Sequence, residues 1–460
     1  MLTLPHRRAL PAARAAGAAC AVPAARTDLA ARAAGAACAV PAARANMAAA
    51  AAMAACVAAA ALGAAGCPAT KAAVDDPGDV VAGGTGGSGA ADAAAARAFE
   101  TGVKAFDAGR YDEALVSFRE AEKSTPDDPQ VLLNVALCEV ALGHADKAAP
   151  PLERAVAKKP EFFEGWNELG AVYLDLDKPA EARAALEKAL ALKPGDTSAR
   201  FNLGMAYRRG GDLTGAEREL FAVLAANPTD VDAHLELGLV KAKAGDGAGA
   251  VKLFEKAVAL APKNAEARYL LAGAKKAGGD VDGAAASYRA AYAADPKMRD
   301  AYTALADLYA GKDRWADAAA ALADAVKAFP ADGAVRASYG NALRKAGDNA
   351  GAVEAYKKAL ELDPRDVIAD RGLALVSVAL GKCDEAHTRF DAAVEKYRAD
   401  ADAHAALEKA RDVIDGCGKA APTAAGPKAP AAAPHGSGKS SAPAHGPAGG
   451  KGAAPTKKPK

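Results

Sequence analysis

The feature that most constrains the fold is a 34-residue spacing of prolines through the middle of the chain. Eight prolines follow one another at this interval without any insertion. They are Pro126, Pro160, Pro194, Pro228, Pro262, Pro296, Pro330 and Pro364. A fixed period of this length is typical of a stacked repeat, in which each unit buries its apolar face only against its neighbours. The sequence therefore predicts that residues 93–400 form nine units of one repeat.

Other columns of the repeat indicate two helices per unit. With each proline at position 32, position 20 is alanine in all nine units and position 8 is always glycine or alanine. Position 24 is always large, as in Phe118 and Leu152. Small residues let two helices approach closely, and a large residue fills the space beside them. Glycine near position 15 and proline at position 32 are expected to end the two helices.

Unit three, Phe163 to Asp196, resembles the tetratricopeptide repeat most fully. The residues that carry the resemblance are Trp166, Leu169, Gly170, Tyr173, Ala182, Leu186, Ala189 and Pro194. The resemblance implies an all-α fold, an α-solenoid that winds as a right-handed superhelix of nine 34-residue helix-turn-helix repeats. After the ninth unit, residues 401–417 read as one more helix, a C-terminal solvating helix that caps the open stack.

The composition agrees with an extended helical chain. Alanine dominates the apolar residues, and 10 Phe, 11 Tyr and 2 Trp are few aromatic side chains for 460 residues. One compact globule with a single deep core is therefore not expected. The chain has no long run of large apolar residues, which argues against a multi-span membrane protein.

By resemblance, positions 2, 5, 9, 12 and 13 of each unit line a concave groove for a protein or peptide ligand. The groove is expected to be apolar in the N-terminal units and cationic further along, with acids such as Glu266 and Asp307 between the cations. The expected groove residues are Phe99, Leu133, Leu137, Phe201, Met205, Arg208, Leu235, Leu239, Lys243, Lys276, Arg344 and Arg371. The alternative for the apolar members is packing between neighbouring first helices.

The N-terminal residues resemble a targeting signal rather than a folded unit. Residues 1–46 contain an identical duplication, Ala13–Arg26 and Ala31–Arg44, which favours an over-long start, with a genuine N-terminal extension as the alternative. Residues 47–67 resemble an export signal that ends in Gly66-Cys67, similar to the acylation site of bacterial lipoproteins. The leucine that this family prefers three residues before the cysteine is replaced by Ala64.

Cys67 is thus a candidate lipidation site, and an ordinary secretory signal is the alternative. Residues 68–92 are rich in Pro, Gly and Ser and are expected to form a flexible linker between the membrane anchor and the repeats. At the other end, residues 418–460 contain seven lysines and no Asp or Glu. This tail is expected to be disordered. It either binds an anionic polymer or lipid or remains solvated.

Cys383 and Cys417 are a possible disulfide. They are 34 residues apart, so they hold equivalent places in successive units, which we expect near the ends of neighbouring first helices. Equivalent Cα atoms in adjacent helices lie about 8–10 Å apart, so a bond requires the end of the chain to bend. Two free thiols are the alternative.

The sequence contains no catalytic constellation. Its seven histidines are scattered, and no ligand set for a metal or for another cofactor is apparent. A net charge of +1 gives no reason to expect nucleic acid as a partner, and nothing points to a small-molecule substrate. The resemblance implies a non-enzymatic protein-interaction scaffold, similar to envelope and gliding-motility lipoproteins that carry these repeats.

Such a protein would be periplasmic and attached to the membrane, preferentially the outer membrane, of a Gram-negative bacterium. Two alternatives remain at this stage. One is a cell-wall-associated binding protein that uses the basic tail. The other is a cytosolic adaptor, which requires the export signal to be spurious.

Overall fold

The structure, a computed structural model, describes residues 88–418, and the regular elements in that part of the chain are all α-helices. Each unit contributes two helices. The first helices of the nine units are α1 (Ser88–Asp107), α3 (Pro129–Ala141), α5 (Phe163–Asp175), α7 (Thr197–Gly210), α9 (Val231–Lys243), α11 (Ala265–Ala277), α13 (Arg299–Ala310), α15 (Gly333–Ala346) and α17 (Val367–Ala379).

The second helices alternate with them along the chain, and two short helices follow. The second helices are α2 (Tyr111–Ser124), α4 (Ala145–Lys158), α6 (Pro179–Leu192), α8 (Leu213–Ala226), α10 (Gly247–Leu260), α12 (Val281–Ala294), α14 (Trp315–Ala328), α16 (Asn349–Leu362) and α18 (Cys383–Lys396). The short C-terminal helices are α19 (Ala401–Glu408) and α20 (Arg411–Asp415). The predicted all-α solenoid of nine helix pairs is therefore confirmed.

Helices that are consecutive in sequence pack against each other along the whole stack. In addition, successive first helices contact one another, for example α5 with α7 and α15 with α17. No two successive second helices in residues 88–418 make comparable contact. The first helices therefore line the inner, concave side of the stack.

The close approach of the two helices within a unit depends on the small residue at position 8. A Cβ atom placed on Gly170 would lie 2.4 Å from Leu186 Cγ, and one on Gly238 would lie 2.5 Å from Phe254 Cε1. Position 20 shows the same constraint, because its nine alanines are at most 1% exposed. The predicted roles of positions 8, 20 and 24 in helix crossing are confirmed.

Turns between the two helices of a unit require a left-handed residue at position 15. Seven glycines adopt φ between +72° and +91° there, from Gly109 to Gly381. Asp177 and Asp313 take this conformation in the two units that lack the glycine.

Asp and Asn side chains accept hydrogen bonds from backbone N–H groups at the starts of many helices, as Asp196 does from Ala199.

The N-terminal face of the stack is polar where later units are apolar. Helix α1 begins at Ser88, so residues 88–92, predicted to belong to a linker, are helical instead. Positions 3, 7 and 10, which later units bury against the preceding unit, are the exposed Arg97, Thr101 and Lys104 in unit one. This face is therefore suited to contact with solvent rather than to packing against another unit.

The C-terminal end is closed by a half unit. The predicted single helix from Ala401 to Gly416 is wrong in detail, because it breaks after Glu408 into α19 and α20. Glu408 stands at position 8, where every full unit has glycine or alanine to admit its second helix. The glutamate removes that space, and the stack of full units ends there.

Enlarging a position-20 alanine should weaken the fold. Ala182 is fully buried, and an Ala182→Leu change forces extra methyl groups into the helix crossing, which typically costs about 1–3 kcal/mol of unfolding free energy. Ala184 lies on the same helix and is exposed, so Ala184→Leu should change stability by less than about 0.5 kcal/mol. Urea unfolding followed by circular dichroism measures both, and equal stability of the two variants would contradict the packing account.

Candidate functional site

The inner face of the first helices is the surface that the resemblance assigns to ligand binding. Most of its predicted apolar residues are not available there. Their side chains lie between helices, with exposed fractions of 4% for Leu133, 6% for Leu137, 4% for Phe201, 1% for Met205 and 6% for Leu235. The expectation that they line an open groove is corrected, because they pack in the core between first helices and their neighbours.

Two other predicted apolar residues are half-buried. Phe99 packs edge-on against Phe118 with ring centroids 5.3 Å apart. Leu239 lies against the cluster that contains Leu235 and Phe254. The apolar half of the predicted groove therefore contributes mainly to packing, which was the alternative for these residues.

Several predicted groove cations are engaged within the chain. Arg208 Nε lies 2.8 Å from Glu236 Oε2, and Lys243 Nζ donates to the Arg208 carbonyl oxygen at 3.1 Å. Arg371 donates from Nη1 to the Ala406 carbonyl oxygen at 3.0 Å, which ties it to the C-terminal half unit. These three cations do not form a free cationic stripe.

The remaining two cations differ in exposure. Arg344 is half-buried, and its Nη2 donates to Asn341 Oδ1 at 3.0 Å. Lys276 is exposed on the inner face and lies near Asp307, where its charge only partly offsets the rise in carboxyl pKa that desolvation causes. The cations are thus separated from one another by their internal partners, and the expected cationic half of the groove is not continuous.

Carboxylates dominate the middle of the inner face instead. Burial, and then the charges of Glu236 and Asp232, raise the pKa of Glu266 to about 7. Arg208 forms an ion pair with Glu236. Three carboxyl groups therefore meet where units five and six adjoin.

The acidic region continues into unit seven. Although much of Asp307 is exposed, partial desolvation by its neighbours raises its carboxyl pKa. Burial, and then the charges of Asp300 and Asp307, raise the pKa of the Tyr269 hydroxyl. We call Asp232, Glu236, Glu266, Asp300 and Asp307 together the central acidic surface.

Sequence reasoning noticed most of these acids only as interruptions of a cationic groove. The repeat period could have revealed them, because acidic residues recur at position 2 of three successive units. These residues are Asp232, Glu266 and Asp300. Equivalent positions of neighbouring units come together in a stack.

The cysteines of the described residues fall into two classes. Cys383 and Cys417 are joined as a disulfide, with Cα atoms 5.5 Å apart. Their expected place near the ends of first helices is corrected, because Cys383 is the first residue of a second helix and Cys417 follows α20. Cys138 is free and buried, and burial followed by the charge of Glu139 raises its thiol pKa to about 12.

The sequence contains one pair of metal-ligating residue types at helical spacing that the sequence analysis did not identify. Cys383 and His387 are four residues apart on α18, which places them one turn apart on a helix. In the structure Cys383 is in the disulfide, and His387 Nδ1 lies 2.9 Å from the Cys383 carbonyl oxygen. From residue 88 to residue 418, no group of three His, Cys, Asp or Glu residues is placed to hold a metal ion.

The predictions for the two ends of the sequence lie outside the described residues. These are the over-long start in residues 1–46, the signal in residues 47–67 with Cys67, most of the linker, and the tail beyond Gly418. Within the described part, no helix combines the length and the apolar character that crossing a membrane requires.

The shifted carboxyl pKa of Glu266 predicts a pH dependence of stability. The folded chain holds this proton more tightly than the unfolded chain, whose Glu pKa is near 4.5. Its contribution to stability is therefore complete below that pH and is lost as the pH rises to about 7. At roughly 1.4 kcal/mol per pKa unit the full difference is about 3.5 kcal/mol, and solvent at the partly exposed Glu266 screens some of it. Glu266→Gln should therefore stabilise the protein by about 2–3 kcal/mol at pH 8 and very little at pH 4.5.

Urea unfolding at pH 4.5, 6 and 8 measures this difference, and Glu361→Gln on the exposed side of α16 is the matched control. A Glu266→Gln variant whose stability parallels that of the wild type at every pH would show that the carboxyl pKa of Glu266 is not raised in the folded chain.

Family models match the chain over most of its repeats. The model described as the cytochrome c-type biogenesis protein H TPR domain matches residues 149–269. Tetratricopeptide repeat models match residues 99–162 and 275–341, and a TPR repeat model matches residues 340–381.

Individual relatives are more distant. A U-box domain-containing protein 70 from Oryza sativa subsp. japonica is 34% identical over 65 residues, which are 14% of this chain and 8% of that protein. The chain thus spans less than a tenth of the length of this curated relative.

Solved structures with a similar arrangement include PilW, described as a type IV pilus biogenesis factor, at 27% identity. The match covers 46% of this chain and 98% of PilW, with a TM-score of 0.43. MamA from Desulfovibrio magneticus RS-1 is 23% identical over 36% of this chain and 94% of its own, with a TM-score of 0.35.

The consecutive repeat matches agree with the nine helix pairs and with the residues at positions 8, 20 and 24. Repeats of this family serve in protein binding, so a protein-interaction role follows for the stack. The chain belongs to the tetratricopeptide repeat proteins.

Proposed function

We propose that this protein is a non-enzymatic scaffold, anchored in the cell envelope, that holds a partner protein along the inner face of its repeats. The observation that carries the proposal is the central acidic surface. It gathers carboxyl groups from units five to seven on the side of the stack that the first helices line. A surface built from several units suits an extended partner segment rather than a small molecule.

The partner segment that fits this surface carries basic residues. Two features of the acidic surface support this choice: the pKa of Glu266 is raised to about 7, and the nearby cation Arg208 is already paired with Glu236. A Lys or Arg side chain placed beside Glu266 would favour its charged form and relieve the repulsion among the three carboxylates. A cationic groove would favour an acidic partner instead, but the predicted groove cations Arg208, Lys243 and Arg371 are engaged within the chain.

Apolar anchoring contributes less than the sequence indicated, because Phe201, Met205 and Leu235 are almost fully buried. The accessible apolar part of the inner face is limited to half-buried side chains such as Leu239 and Tyr269. We therefore expect recognition to be largely electrostatic, with a strong dependence on salt.

Binding rather than catalysis is part of the proposal. The raised carboxyl pKa values of Glu266 and Asp307 belong to groups in two different units. Burial explains both, and the charges of Glu236 and Asp232 add to the shift at Glu266. A crevice lined by residues 329–334 and by Leu362 and Asp363 is open to solvent. Neither place brings a nucleophile and a base together.

The envelope location rests on the N-terminal sequence. The uncharged stretch that ends in Gly66-Cys67 suits export and acylation, and the linker that follows would hold the repeats away from the membrane. Outer-membrane attachment in a Gram-negative bacterium, and service to a motility or envelope-assembly complex, extend this proposal by family resemblance. A cytosolic adaptor would share the inner-face chemistry but not the anchor.

A second candidate function uses the basic tail. Seven lysines without any acid between Gly418 and Lys460 suit binding to an anionic polymer of the cell wall. Removal of this tail should then release the protein from isolated cell walls and leave the partner on the inner face unaffected.

Neutralising the central acidic surface should weaken partner binding. We expect Glu266→Gln combined with Asp300→Asn to reduce affinity about 10-fold or more, and to flatten its dependence on salt. Partners are identified by affinity purification of the full-length protein from detergent-solubilised membranes, and affinity is then measured with the purified partner. Because Glu266→Gln is expected to stabilise the fold, a loss of binding will not reflect unfolding.

The matched control is Glu354→Gln combined with Glu361→Gln, which removes two exposed charges from the second helix of unit eight. It should bind as the wild type does. Equal binding by both double variants would exclude the central acidic surface as the partner site.

The anchor is tested separately at Cys67. Wild-type protein should partition with membranes and into detergent, whereas Cys67→Ser should be released or processed differently. Mass spectrometry of the mature N-terminus decides the point, and an unmodified cysteine there would contradict lipid anchoring while leaving the partner site untouched.

A further inference from the structure

The C-terminal half unit, α19 and α20, covers the end of the stack in the way that another unit would. Ala403, Leu407 and Ala410 hold positions 3, 7 and 10, the positions that first helices bury against the preceding unit. They are 8%, 0% and 3% exposed, and Ile414 is fully buried beside them. We call residues 401–417 the cap.

The face that the cap covers is apolar. Phe390 and Tyr397 are each 1% exposed and belong to the same cluster as Leu407 and Ile414. Without the cap, this end of α17 and α18 would present an apolar seat shaped for a helix. The cap is therefore the element that decides whether the seat is open or closed.

The cap is held from one side only. No described helix packs on its outer side, where Val413 is 52% exposed. A terminal element of a repeat stack has one neighbour instead of two, so it is the place where such a stack opens most easily. Polar contacts to the rest of the chain include the Arg371–Ala406 hydrogen bond and His387 Nε2, which lies 3.7 Å from Asp415 Oδ1.

The disulfide compensates for this one-sided contact. Cys383 is the first residue of α18, and Cys417 lies two residues beyond the end of α20. The bond therefore closes a loop that contains all of α18 and the whole cap. A bond that joins both ends of the terminal segment restricts its opening more than any single non-covalent contact near it.

We propose that the Cys383–Cys417 disulfide is a redox latch that keeps the cap closed, and that its reduction lets the cap open and exposes the apolar seat on α17 and α18. Both cysteines are only half-buried, so a dithiol reductant reaches them. A thiolate of the reductant attacks one sulfur and forms a mixed disulfide, and the other protein sulfur leaves as a thiolate. The second thiol of the reductant then displaces the remaining sulfur. Two electrons and two protons pass to the protein, which gains two thiols, while the reductant becomes a disulfide.

The latch links the state of the cap to the surroundings of the protein. In an oxidising compartment the disulfide persists and the end of the stack stays closed. Where dithiols are abundant, the seat is available during cap opening. The inference concerns the end of the stack and does not depend on the proposed partner of the inner face.

Hydrogen–deuterium exchange of the full chain, read by mass spectrometry, tests the latch. With dithiothreitol, amides of residues 401–417 should exchange at least 10-fold faster than in the oxidised protein, while those of α5 to α10 remain unchanged. Cys417→Ser should show the fast exchange with and without reductant. This variant also controls for effects of the reductant on the other cysteines of the chain.

Two results would overturn the proposal. One is equal exchange of the cap in oxidised and reduced wild type, which would mean that non-covalent contacts alone keep it closed. The other is complete alkylation of Cys383 and Cys417 in protein prepared under oxidising conditions, which would mean that the bond does not form.

Discussion

The structure depends on one repeated contact, the crossing of two helices within each unit at positions 8, 20 and 24. Glycine or alanine at position 8 admits the large side chain of position 24, as Gly340 admits Tyr356, and a Cβ atom on that glycine would lie 2.8 Å from the ring. The alanine at position 20 is buried in every unit. Because the same crossing recurs every 34 residues, the first helices of successive units fall on one side and form a continuous inner face.

The two ends of the stack solve the problem of an exposed repeat face in different ways. Unit one replaces apolar contact positions by Arg97, Thr101 and Lys104, so its free face is hydrated. Unit nine keeps an apolar face and covers it with a half unit that a disulfide ties down. Both arrangements disfavour growth of the stack by end-to-end addition of further copies, since neither end offers an open apolar face.

The sequence predicted the number of units, the two helices in each, and the roles of the small and large positions, because each of these follows from a residue type at a fixed period. The prediction failed where the result depends on how deeply a side chain is buried. Position 5 was assigned to the groove in Leu133 and Phe201 alike, but packing against neighbouring helices buries both. How deeply a side chain is buried depends on the summed packing of many side chains and is not visible at any one repeat position.

Charge was predicted less well than packing, for a related reason. Arg208 and Arg371 look like free cations in the sequence, and only the structure shows Glu236 and the Ala406 carbonyl oxygen as their partners. The partner of a long side chain depends on which neighbouring unit it reaches. The column of acids at position 2 could have been found from the period alone.

The central claim is that the inner face of units five to seven holds the partner protein, and site-specific crosslinking in living cells tests it most directly. A photo-crosslinking amino acid in place of the exposed Lys276 would lie beside the acidic surface, whereas one in place of Glu361 would lie on the second helix of unit eight. The account predicts a crosslinked partner from Lys276 and none from Glu361. Crosslinks to the partner from Glu361 alone would contradict it and would move the binding site to the outer side of the stack.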